Sequence, residues 1–316
     1  MASVARGAAA AAPGRRMRAF SRRMRMKHVA RASGFRFEGD ARGRADVGVG
    51  RWRDEGAGAV DVWCHDARGR SEGEARARAS GWTTASESRE LEASTARLVA
   101  RAFVRKVLAS YDPSVSAREI EFALGERGKP RVATPESSVG RRFSVSHCDG
   151  LIAVCVSEGG DVGVDVEDEN RRVGSDVMRF ARRWLSAREV ENLLGVADAD
   201  ERARAFMRLW TAKEAYVKAL GLGIAGRPFR EFDVDFQRAS EEAVTSVELR
   251  DGAAGNAWRV ALFRPRPERS HVLALCAPAT PSGSFPLVRA RWASIFDDDV
   301  AEADFALLAQ SRRRAE

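Results

Sequence analysis

The chain lacks a long apolar run. Its most continuous apolar stretch, Leu151 to Val156, is far shorter than the roughly 18–20 residues of a membrane span, so no membrane association is expected. Cysteine is scarce: Cys64, Cys148, Cys155 and Cys276 are the four among 316 residues, and no two share a Cys-x-x-Cys spacing. That excludes a disulfide scaffold, speaks against a structural zinc site or a thioredoxin motif, and fits a reducing compartment. No G-x-S-x-G elbow is present. Gly125-Glu-Arg-Gly-Lys-Pro130 misses the spacing of a P-loop and has Pro130 at its Ser/Thr position. No short repeat recurs. Acidic residues are absent from one place: residues 1 to 37 hold nine arginines, Lys27, and no Asp or Glu. The net charge of +8 belongs to that arm, because the remainder carries 43 basic and 45 acidic residues. An electrostatic footprint for nucleic acid should lie on the folded surface, so no nucleic-acid partner is expected.

What is present supports a sizeable core. Hydrophobic residues make up 44% and charged residues 31%, and the length allows one large domain or two halves. Residues 1 to about 50 read either as an Arg-rich, acid-poor transit peptide or as a disordered basic arm. The address would be a chloroplast or a mitochondrion, and the cytosol if the arm is no address.

Beyond the arm, Ala59 to Cys64 alternates as a strand, and Ser71 to Ser88 is polar, a loop or weak helix. Leu98, Ala102, Val104, Val107 and Leu108 recur at helical steps between Leu91 and Tyr111. Ile120 to Leu124 is a short strand and Gly125 to Ser138 a loop. Phe143 to Ser146, Leu151 to Ser157 and Val162 to Glu167 read as strands. Ser186 and Glu189 form a capping box opening a helix through Leu194, and a longer helix from Asp200 to Leu220 is stopped by Gly221. Further strands are expected at Phe232–Phe236, Thr245–Arg250, Trp258–Phe263 and His271–Cys276. A surface helix is expected at Asp297–Gln310. The order is that of an α+β chain: a basic arm over 1–50, an N-terminal lobe over 58–160, a C-terminal lobe over 161–278, and an extension over 279–316.

Four constellations can carry chemistry. In Val162-Gly-Val-Asp-Val-Glu167 the two carboxylates, two apart, share one strand face. They suit a hard cation such as Mg²⁺, which takes one or two carboxylates plus substrate oxygens, or they form a solvated polar face. Trp210, Glu214 and Lys218 lie on one helical stripe, either a stabilising Glu–Lys pair or a partly buried pair with a task. Ser146 and His147 are neighbours on a strand and point to opposite faces, so they do not make a nucleophile–base pair. His147 either meets a phosphate or fills a core contact. Lys129, hinged on glycine, either reaches an anion or sits in a basic turn. Together these pieces point to Mg²⁺-dependent phosphoryl or phosphodiester chemistry.

The order GKP at 128–130, FSVSH at 143–147, VGVDVE at 162–167, RFARRWLSAREVENL at 179–193 and LWTAKEAYVKALGLGI at 209–224 resembles the 4′-phosphopantetheinyl transferases. It is most like the larger, monomeric branch with two fused similar lobes, and closest to plant and algal forms. The resemblance extends more weakly to VDVWC at 60–64 and LVARAFVRKVLASY at 98–111. It implies a two-lobed α+β fold with pseudo-twofold symmetry. It implies transfer of the phosphopantetheine arm of coenzyme A to a serine of an apo acyl carrier protein or carrier domain, releasing 3′,5′-ADP. It further implies Asp165, Glu167 and Glu214 as Mg²⁺ ligands, with Lys129, Pro130, Ser146, His147, Asp165 and Lys218, and more weakly Arg101, at the coenzyme. Glu214 or Glu167 would take the serine proton, and Lys218 would neutralise the leaving phosphate. The chain departs from the pattern ahead of its first long helix, where ASESRELEAS offers only Arg89 as a basic grip on the nucleotide. A non-catalytic coenzyme- or carrier-binding module is the alternative; intact Asp165, Glu167, Glu214 and Lys218 argue against it.

Overall fold

The computed structural model describes residues 59–311 except 174–175, 238–244 and 256. The basic arm lies outside the described residues. The described chain is α+β and runs twice through one sequence of elements.

The first pass starts with strand β1 (Val60–Asp66). Helices α1 (Glu72–Trp82), α2 (Ala85–Glu90) and α3 (Thr95–Ala109) follow, then the hairpin β2 (Glu121–Leu124) and β3 (Pro130–Thr134). Strands β4 (Arg142–Cys148) and β5 (Leu151–Ser157) close it. The second pass is β6 (Gly163–Asp168), helices α4 (Val177–Trp184), α5 (Ala187–Leu194) and α6 (Ala199–Leu220), hairpin strands β7 (Asp233–Gln237) and β8 (Thr245–Arg250), then β9 (Trp258–Arg264) and β10 (His271–Pro278). In both lobes the first strand pairs antiparallel with the last, and the last with the one before it: β1-β5-β4 and β6-β10-β9.

The polar stretch Ser71–Ser88 forms α1 and most of α2. Their apolar content is low, but each opens on a capping box, Ser71 with Glu74 and Thr84 with Glu87, which satisfies orphan backbone donors. The expected loop at 125–138 contains β3, paired with β2. The largest difference lies beyond Pro278. No surface helix forms at 297–310. Strands β11 (Val288–Ala293), β12 (Val300–Ala303) and β13 (Ala306–Gln310) form instead. The first sheet becomes β12-β11-β1-β5-β4, and β13 inserts beside β9 in the second. The cause is local alternation reinforced by free sheet edges. Arg289 and Arg291 of β11 reach the buried carboxylate of Asp61 at 2.8 and 2.9 Å, while Val288, Ala290 and Trp292 pack on the core between the sheets.

That inter-sheet core draws Val60, Val62 and Cys64 from β1, Val164 and Val166 from β6, and Val162 just before β6. A separate core lies between the first sheet and α3. Each long helix is anchored by one buried cation. Arg105 of α3 pairs with Glu87 at 2.8 Å and donates to the carbonyls of Ala117 and Ile120. Lys213 of α6, fully buried, pairs with Glu189 at 2.7 Å and donates to the carbonyls of Phe229 and Phe232. Glu87 and Glu189 are the capping-box residues of α2 and α5, so one device fixes helix to helix in both lobes.

Candidate active site

Strands β4 and β6 are the outer strands that meet where the lobes join, and β4 bridges to β6 with side chains. Ser144 Oγ accepts the amide of Val164 at 3.2 Å, and Ser146 Oγ donates to Asp165 Oδ1 at 2.7 Å. Asp165 is 3% exposed. Lys218 Nζ reaches the same Oδ1 at 2.6 Å and the carbonyl of Val164 at 3.1 Å. The helix carrying Lys218 can lie this close to β6 because residue 163 is glycine: a Cβ there would stand 1.9 Å from the carbonyl oxygen of Ala215. Gly221, at φ 70°, ends α6 in the left-handed conformation.

Glu167, on the same face of β6, receives Arg171 Nη1 at 2.6 Å. Burial, and next the charge of Asp165, push its carboxyl above the usual carboxylate range. Glu214 precedes Lys218 by one turn and is 9% exposed. Asp165, Glu167, Ser146 and Lys218 are thus brought to one junction, with Glu214 on the Lys218 stripe of α6. His147 stands on the opposite face of β4 from Ser146, the face of Phe143 and Val145.

Two other positions are engaged away from Asp165. Lys129 Nζ donates to the carbonyls of Val162 at 2.8 Å and Ala219 at 3.1 Å and lies 3.4 Å from Asp161. It ties the β2–β3 hairpin to the start of β6 and the negative end of α6; burial lowers its pKa. Pro130 opens β3 beside it. Arg101 pairs with Glu87 at 2.9 Å and lies over the Phe122 ring, and Arg89 sits exposed on α2. Arg171 was not singled out from the sequence. Its spacing of four from Glu167 is the signal that marks it.

The donors at β6 fit a hard divalent cation. Asp165 Oδ2 is buried and has no hydrogen-bond partner, and the charge of Asp165 raises the cost of ionising Glu167, so the pair invites a positive charge. Among the described residues no three His, Cys, Asp or Glu side chains are already gathered around one point. Asp165 and Glu167 on β6 supply two hard oxygen donors, with Glu214 facing from α6, and a cation there would be completed by substrate oxygens.

Residues 161–276 match the family model described as the 4′-phosphopantetheinyl transferase superfamily. This segment is similar to the 4′-phosphopantetheinyl transferases. The match holds β6, the long helix α6 and all three carboxylates. The 4′-phosphopantetheinyl transferase HetI of Nostoc is 34% identical over 125 residues, 40% of this chain and 51% of that protein. The 4′-phosphopantetheinyl transferase pptA of Paxillus involutus is 32% identical over 47% of this chain and 59% of that protein. The 4′-phosphopantetheinyl transferase Sfp of Bacillus subtilis is 29% identical over 49% and 62%. The chain thus spans about half to three-fifths of the length of these relatives.

Proposed function

We propose that the protein transfers the 4′-phosphopantetheine arm of coenzyme A to a serine of an apo acyl carrier protein or carrier domain, releasing 3′,5′-ADP, and that it does so as a monomer with Mg²⁺. The observation that carries this reading is the buried Ser146–Asp165–Lys218 contact at the β4–β6 junction, within the segment that matches the superfamily.

In this reading the carrier serine Oγ attacks the β-phosphorus of coenzyme A. The new P–O bond forms as the bridging bond to the α-phosphate breaks, and 3′,5′-ADP leaves with the electron pair. Glu214 or Glu167 takes the serine proton. For Glu167, a carboxyl held above the ordinary range brings its pKa nearer the working pH of a base. Lys218, held on α6 beside Asp165, balances charge building on the leaving phosphate. Asp165 and Glu167, with Glu214, would hold Mg²⁺. The ion supplies electrostatic stabilisation of the pyrophosphate. Ser146 orients Asp165 by occupying Oδ1, leaving Oδ2 for the cation. His147, Lys129, Pro130 and Arg101 are proposed coenzyme contacts, and for Lys129 contact requires release from Asp161.

The test is incubation with coenzyme A, Mg²⁺ and an apo carrier protein, read by intact mass. A gain of one phosphopantetheine arm is expected. An unchanged mass, with a carrier that a known transferase modifies, refutes the reading. Residues 1 to about 50 are proposed to be an organellar address. A fluorescent fusion of that segment should enter a plastid or mitochondrion, and a diffuse cytosolic signal counts against it.

A further inference from the structure

Asp165 and Glu167 of β6 each have a cation of their own. Lys218 Nζ stands on Asp165 at 2.6 Å, and Arg171 Nη1 stands on Glu167 at 2.6 Å. The Arg171 and Glu167 side chains are 9% and 16% exposed, so water screens the pair weakly. The Cys148 thiol touches the same carboxylate. Two negative charges are thus balanced by two positive ones within the chain. A divalent cation taking Glu167 must either displace Arg171 or sit beside its guanidinium.

We propose that Arg171 is a positioning residue that makes divalent-cation binding at Asp165 and Glu167 depend on the coenzyme. The inference rests on the reading above and adds an order of loading to it. A pyrophosphate offers Arg171 and Lys218 a new partner, and a guanidinium fork suits phosphate oxygens well. Once Arg171 turns to the phosphate, Glu167 is released to the cation. Linkage makes the effect mutual: the cation tightens the coenzyme by the same factor. Arg171 changes partner and neither makes nor breaks a bond in the transfer.

The test is calorimetric titration of Mn²⁺ into the full chain, with and without coenzyme A and without any carrier. Ion bound by free coenzyme is measured separately and subtracted. In the wild type, coenzyme A should tighten Mn²⁺ by about 5–150-fold. Arg171→Met should bind Mn²⁺ more tightly than wild type without coenzyme and gain less when coenzyme is added. Arg171→Lys, which keeps the charge and loses the fork, should fall between the two, and it serves as the variant to use if Arg171→Met fails to fold. Wild-type affinity and wild-type coupling in both variants would overturn the role of Arg171 while leaving the metal site standing. No Mn²⁺ binding by the wild type even with coenzyme A would remove the metal site itself, and this inference with it.

Discussion

The two lobes share one topology and differ at the strand that matters. Matching β1 to β6 by their common core faces sets Val60, Val62 and Cys64 against Val162, Val164 and Val166. The opposite faces then align as Asp61, Trp63 and His65 against Gly163, Asp165 and Glu167. Matching the long helices by their anchoring cations, Arg105 and Lys213, sets Lys106 against Glu214 and Ser110 against Lys218. The carboxylates of the second lobe are replaced in the first by an indole, an imidazole and an ammonium. The first-lobe counterpart is also filled. Lys106 donates to the carbonyls of Ser294 and Asp297, Arg78 and Trp82 both hold the carbonyl of Ile295, and Phe296 packs on His65. At one junction β4 meets β6 directly. At the other, β1 and β9 are each paired with a C-terminal strand, β11 and β13. A repeated backbone thus gathers carboxylates and a lysine at one junction only, because the residues on one strand face and the segment beside it differ.

The contrast is broken most severely at the carboxylates. Asp165→Ala or Glu214→Ala is expected to lower transfer by more than about a hundredfold, with circular dichroism unchanged. Lys106→Ala, the counterpart of Glu214, should lower the melting temperature and leave turnover unchanged. Equal turnover losses would mean that both junctions serve catalysis.

The two anchors are expected to differ in size. Lys213→Ala leaves the buried Glu189 without its cation and should cost about 3–5 kcal/mol in denaturant unfolding, whereas Arg105→Ala leaves Glu87 still paired with Arg101 and should cost less. Lys218→Ala should show its main effect as lost turnover at saturating coenzyme A in protein that remains folded. A Lys213→Ala protein of wild-type stability would show that the buried pair with Glu189 anchors nothing.

Gly163→Ala tests why the second helix approaches its strand so closely. With backbone oxygen 1.9 Å from the added carbon, helix α6 must shift, at about 3 kcal/mol. The first lobe has Asp61 at the matching place and tolerates a side chain there. Unchanged stability would refute the close approach.

The smallest effect belongs to His65. Burial lowers its pKa to about 4 from an ordinary 6.5. Between those values the unfolded chain binds the proton and the folded chain does not, so this contribution to stability falls as pH falls. By pH 5 it should amount to about 2 kcal/mol. His65→Gln should flatten the stability curve between pH 6.5 and 5 relative to wild type. Parallel curves would place the titration elsewhere.

Much of this was legible without a structure. Long helices, the capping box at Ser186 and the stop at Gly221 depend on residues within a few positions of one another, and they appear where the sequence places them. The shared face of Asp165 and Glu167 follows from strand alternation, and the Glu214–Lys218 stripe from helical periodicity. Long-range pairing was not legible. The pattern of 288–293 alternates as a strand should, yet the tail reads as a loose surface extension until the open edge of β1 gives β11 a partner. Helical periodicity already sets Lys218 on the Glu214 stripe of α6 and Lys213 about 100° around it. Only the tertiary structure shows that Lys213 is sealed inside on Glu189 and Lys218 reaches Asp165. Local order was determined by the sequence itself, because caps, glycines and periodicity act within one element. The junction at Asp165 was decided by the tertiary structure, because hydrogen bonds and burial choose which distant side chains share a charge.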